Sequence, residues 1–121
     1  LWDKLRISPV YQHSYLLDKK IYDFSQLLKN NRDFWIIMDQ INRVADSVSA
    51  NIAEGYGRFC YKDKIRFCYK ARGSLLEVCD WLAKTLDRGF VSAEEAEKLK
   101  KLINQIFREL ESMIFNTKEQ C

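Results

Sequence analysis

One stretch in the middle of the chain concentrates residues that could do chemistry. Arg58, Lys62, Lys64, Arg66, Lys70 and Arg72 stand there against a single acid, Asp63. Tyr56, Phe59, Tyr61, Phe67 and Tyr69 are interleaved with them. Ammonium and guanidinium groups pair with phosphate oxygens, and aromatic faces accept unstacked bases. The combination therefore suits RNA or a single strand. Cations at the start of a helix oppose its macrodipole, so they add no local stability here. The plain alternative is a solvated basic face whose rings serve the core. The candidate phosphate partners are Arg58, Lys62, Lys64, Arg66 and Lys70.

A second constellation is polar rather than basic. Arg43, Ser47, Asn51 and Glu54 recur at spacings of four, four and three, so they share a helix face. Arg66, Lys70, Gly73 and Glu77 form a comparable stripe further on, with Arg72 beside it. The expectation is a network of Arg43, Asn51, Glu54, Arg72 and Glu77 that fixes register or assembly, with Arg72 paired to Glu54, Glu77 or a neighbouring subunit. An anion-binding groove and plain surface decoration are the alternatives. Gly73, between Ala71 and Ser74, is expected to admit a close backbone or ring.

Catalysis finds no support. His13 is the only histidine, and no nucleophile and base pair up. Gly55-Tyr56-Gly57 is too short for a dinucleotide fingerprint, and Glu94-Glu95 reads as a dipole-favoured helix start. Cys60, Cys68, Cys79 and Cys121 include no Cys-x-x-Cys pair, so no metal or cofactor is expected. Cys68 and Cys79 read as reduced thiols on an apolar stripe.

These residues need helices to hold them. Residues 1–7 read as an arm anchored by Trp2 and Leu5. Ser8-Pro9 then opens a helix over 8–30, with a hydroxyl N-cap and proline in the first turn. Asp33 is the candidate N-cap of a second helix, 33–54, whose seam is Phe34, Met38, Ile41, Ala45, Val48 and Ile52. Gly55 and Gly57 are expected to end it through positive φ. A third helix, 61–88, carries Ile65, Cys68, Arg72, Leu75, Cys79, Leu82 and Leu86, which places Arg72 on the seam. Gly89 stops it. Ser92-Ala93-Glu94-Glu95 is a capping box, with Val91 as a staple, for a last helix over 93–117. Residues from Lys118 onward should fray.

No stretch alternates with period two, so the fold class is all-α. Short connections predict an up-down-up-down antiparallel four-helix bundle as a single domain over 1–121. Trp35, Ile37, Val44, Trp81, Phe107 and Ile114 lie off the seams, which favours a second apolar face and self-association. With 121 residues and 47% hydrophobic content, the chain can bury a core without staples. No apolar run is long enough to cross a membrane, and the first residues lack a secretory block, so a soluble, cytoplasmic protein is expected. Net charge is only +3, so its clustering matters more than its sum.

Ser47-Val48-Ser49-Ala50-Asn51-Ile52-Ala53-Glu54-Gly55, with Arg58 shortly after, and then Ala71-Arg72-Gly73-Ser74-Leu75-x-Glu77, resemble the signature of four-helix-bundle proteins encoded in 23S rRNA intervening sequences. The accessory variability determinant proteins of diversity-generating retroelements are similar in architecture. The resemblance covers roughly residues 34–118. It implies a ring-like homopentamer that binds nucleic acid rather than catalysing a reaction. The retroelement relatives also partner a reverse transcriptase. The leading expectation is a nucleic-acid-binding accessory protein, with RNA as partner. The rival is a protein–protein scaffold or adaptor, including a reverse-transcriptase accessory, whose basic patch is incidental.

Overall fold

The computed structural model describes residues 1–120. Their elements are α1 (Trp2–Arg6), α2 (Pro9–Leu27), a 3-10 turn (Arg32–Phe34), α3 (Trp35–Tyr56), α4 (Tyr61–Asp87) and α5 (Ala93–Lys118). The fold is all-α, with five α-helices and no strand among the described residues. The arm expected at the N-terminus is thus helical over Trp2–Arg6. Cys121, in the end expected to fray, lies outside the described residues.

The first boundaries differ from expectation for local reasons. Pro9 does open α2, but the Ser8 hydroxyl does not cap it. It bonds the Tyr56 hydroxyl instead, at 2.6 Å. The helix stops at Leu27. Asn31, rather than Asp33, then supplies the capping oxygen, accepting from the Asp33 backbone N–H at 3.0 Å. The turn that follows drives Phe34 out of water completely. Its ring meets Phe24 edge-on at 5.6 Å and Phe90 at 5.2 Å, closing one end of the core.

The glycines also take other roles. Gly55 lies inside α3 and is buried. A Cβ there would stand 3.3 Å from the Phe67 Cβ, so the missing side chain lets α3 and α4 approach. Gly57 ends α3 with φ −80°, an ordinary right-handed value. Among the described residues, positive φ is confined to Gly89, at 78°. There the Phe90 N–H donates to the Thr85 carbonyl and the Gly89 N–H to Leu86, both at 3.0 Å. That is the Schellman closure, and it satisfies carbonyls the helix end leaves free. Gly73 is exposed, with no atom within 4 Å of a Cβ placed on it. The close packing expected at Gly73 is found at Gly55.

One contiguous core runs through α2, α3, α4 and α5. Each large aliphatic side chain withdrawn from water into it contributes about 1.5–3 kcal/mol. The α3 seam agrees with the sequence reading at Ile41, Ala45, Val48 and Ile52. The α4 seam is rotated. Cys68, Ala71, Leu75, Val78, Leu82 and Thr85 are buried, while Arg72, Cys79 and Leu86 flank them. Ala71, one residue earlier, takes the place assigned to Arg72, which removes the need to bury a guanidinium. Ile37, Val44 and Ile114 are buried, so they do not form a second exposed face. Trp35 remains 58% exposed. In α5 the Ser92 hydroxyl accepts from the Glu95 N–H at 3.1 Å, and Val91 is buried beside it.

The long helices pack in a cycle, each on its sequence neighbour and α5 back on α2. Between α2 and α3, Ser8 meets Tyr56 while Ser25 accepts from the Asn42 amide at 2.8 Å. Between α3 and α4, Gly55 meets Phe67 while Ser47 meets Ser74 at 2.8 Å. Between α4 and α5, Lys118 lies over Tyr69 while Arg72 meets Glu111.

Candidate nucleic-acid interface

The basic segment divides by helix geometry. Phe67 is buried, and three cations gather on its ring. The centroid lies 4.7 Å from the Arg58 guanidinium carbon, 5.1 Å from that of Arg66 and 4.8 Å from the Lys70 nitrogen. Each such interaction is worth about 0.5–1 kcal/mol at an exposed site, which partly offsets the mutual repulsion of the cations. Lys62 is exposed and stands four residues before Arg66, hence on the same face. Lys64 points elsewhere. It lines a pit of about 90 Å³ between α3, α4 and α5, with Gly55, Tyr56, Cys68 and Met113. Four of the five predicted phosphate partners therefore share one surface, and Lys64 stands apart.

Charge pairing on that surface is sparse. Arg58 donates to Glu54 at 2.6 Å, and Arg66 lies 3.7 Å from Asp63. Lys62, Lys64 and Lys70 have no ion pair among the described residues. Phe59 is fully exposed, and Tyr56, Tyr61 and Tyr69 are partly so. Of the interleaved rings, only Phe67 serves the core.

The expected polar network is largely dissolved. Glu54 goes to Arg58 rather than Arg72. Arg43 pairs with Asp39 along α3 at 3.3 Å, in open solvent. Arg72 pairs with Glu111 of α5 and lies 4.7 Å over the Tyr69 ring. Glu77 is exposed and joins no ion pair among the described residues. What does form is smaller. The Asn51 amide donates to the Ser47 carbonyl at 2.8 Å and to its hydroxyl at 3.0 Å, and Ser47 bonds Ser74 across to α4. Ser47 is thus the clip between α3 and α4, and Asn51 backs it from within α3.

Two thiols, Cys68 and Cys79, are held in environments that disfavour the thiolate. Burial pushes the Cys68 thiol above its ordinary pKa, although the Lys64 ammonium pulls it back. Burial likewise raises Cys79. A raised pKa means little thiolate and a weak nucleophile. Cys60 is exposed, so the buried-thiol reading does not extend to it. No cluster of His, Cys, Asp or Glu able to hold a metal occurs among the described residues.

Two groups escaped the sequence reading. His13 Nδ1 lies 2.8 Å from Glu109, linking α2 to α5. Asp18 faces Asp46 across α2 and α3, and its Oδ1 is buried with no hydrogen-bond partner. Burial first, then the Asp46 carboxyl, push the Asp18 pKa from 3.8 up to about 7. The signal was present, since Asp18 follows Ser14 by four and precedes Ile21 by three, both buried.

Residues 7–112 match a protein family described as 23S rRNA-intervening sequence protein. The chain belongs to that family. A crystal structure of an S23 ribosomal protein family member from Bacteroides thetaiotaomicron, a protein with unknown function, has the same fold. It is 24% identical, with a TM-score of 0.82, over 87% of this chain and 97% of that one. No curated protein matches. The family match begins at residue 7, so it takes in α2 as well as the Asn51 and Arg72 blocks. Within this 23S rRNA-intervening sequence protein, both blocks lie where α3 and α4 meet. Ser47, Gly55 and Ser74 there hold the two helices together, with Asn51 bonded to Ser47, while Arg58 opens the basic surface. No helix among the described residues is long and apolar enough to cross a membrane.

Proposed function

We propose that this 23S rRNA-intervening sequence protein binds nucleic acid, with RNA as its partner, and acts as an accessory factor without catalysis. The observation that carries the reading is the cation surface around Phe67. Arg58, Arg66 and Lys70 converge there, Lys62 extends the line, and only Asp63 and Glu54 oppose them. Charge held at such density and only partly neutralised by Glu54 and Asp63 suits a phosphate backbone. The antiparallel order of the helix pairings supports an up-down-up-down four-helix bundle as its carrier. Exposed Leu76, Phe115, Trp35 and Ile36 support self-association, and a ring-like homo-oligomer, a pentamer in the expected form, would repeat the basic surface around its circumference. Its place of work in this reading is the cytoplasm.

The test is RNA binding measured across a range of salt concentrations. Replacing Lys62, Arg66 and Lys70 by alanine should weaken binding and flatten the salt slope by about 0.7 for each phosphate that is no longer neutralised. Mass and melting temperature should stay unchanged. Absence of salt-sensitive binding to RNA or DNA by the unmodified chain would overturn the reading. It would favour the scaffold alternative, including a reverse-transcriptase accessory role.

A further inference from the structure

We infer that the joint between α3 and α4 recognises unpaired bases, with the Phe59 ring as the surface on which a base stacks. This rests on the nucleic-acid reading above and specifies the form of the polymer. Phe59 is 101% exposed at the bend that follows Gly57. A phenyl ring left in water forgoes the stabilisation that burial would bring, and no packing role in this chain explains it. Tyr56 and Tyr61 flank it at 45% and 43% exposure. The Tyr56 hydroxyl is tied to Ser8, so that ring is held in place before any ligand arrives.

The other rings of the segment are already engaged. Phe67 is 7% exposed beneath its three cations, and Tyr69 lies under Arg72 and Lys118. Within this segment, the rings with no cation over them are those at the joint. Arg58 and Lys62 bracket it, and no acid occurs between Gly55 and Lys62. A single strand offers what this arrangement lacks: an open base face with a phosphate on either side. A duplex does not. Its bases are stacked on each other, and its deep major groove bars a side chain at a loop tip. An anionic membrane also attracts cations and rings, but interfacial anchoring uses a broad apolar face. Residues 56–62 contain no aliphatic side chain, which favours stacking on bases over insertion among acyl chains.

The test compares the full chain with Phe59→Ala by fluorescence anisotropy. The probes are a labelled oligouridine of about 12 nucleotides, within the range single-strand binders cover, and an RNA hairpin stem of equal length. The unmodified protein should prefer the single strand. Phe59→Ala should weaken that complex about five- to 100-fold, leave the stem unchanged and keep the same melting temperature. Equal affinity for strand and stem, or no effect of Phe59→Ala on the strand, would sink the stacking inference while the phosphate reading stands on its own lysine variants. Failure to bind either probe would sink both. Phe59-dependent binding to phosphatidylcholine–phosphatidylserine vesicles without RNA binding would reassign the joint to a membrane surface and overturn the inference.

Discussion

Asp18 makes the stability of this fold depend on pH in a direction that can be worked out. In the unfolded chain its carboxyl ionises near pH 3.8, and in the folded protein near pH 7. Between those values the folded state holds a proton that the unfolded state has released. Stability contributed by this group is therefore complete below the lower value and is lost as pH rises through the upper one. The full shift corresponds to about 4 kcal/mol. Asp18 is only half-buried, and solvent screening reduces the expected effect to about 1–2 kcal/mol. Asp18→Asn keeps the shape and removes the ionisation. It should stabilise the protein by that amount at about pH 8 and flatten the decline between about pH 4 and 7. Urea unfolding at a series of pH values reads both quantities, with unchanged m-values as the control. Asp46→Asn should remove only part of the shift, because burial, the largest single cause, remains. Parallel stability curves for the unmodified chain and Asp18→Asn would refute the reasoning.

Two further outcomes follow from the helix 4 geometry. Gly73→Ala should stabilise the chain by about 1 kcal/mol, because Gly73 is mid-helix with open space around it. Thermal or urea unfolding measures this, and a loss of stability or of assembly would show that a neighbouring subunit approaches there. Arg72→Ala should cost only about 1 kcal/mol, since its bond to Glu111 is partly exposed at 33% and 46%. A double-mutant cycle with Glu111→Ala isolates that interaction, and a loss of several kcal/mol would place Arg72 in a buried assembly interface.

Much of the helix content and most of the core were legible because periodicity reports burial directly. Ile41, Ala45, Val48 and Ile52 sit where their spacing put them, and the Ser92 cap and the Gly89 stop are local chemistry. Pairings between helices were less legible. Glu54 prefers Arg58 four residues away to Arg72 across the bundle, and an exposed i,i+4 pair needs no tertiary neighbour. Small differences in rotation decided the rest. A seam one residue out in α4 exchanged Ala71 for Arg72 and turned a supposed buried network into a surface ion pair with α5.

The sequence by itself determined the all-α class, the location of the four long helices and the concentration of charge between Arg58 and Arg72. These follow from local composition and from periods of three and four. Tertiary structure decided which of those charges act together. It gathered Arg58, Arg66 and Lys70 on Phe67, sent Lys64 into a separate pit, and left Phe59 alone in water. It also set Asp18 against Asp46 and made Gly55, not Gly73, the point of close helix approach. Spacing along one helix fixes a face, but only the neighbouring helix determines what that face meets.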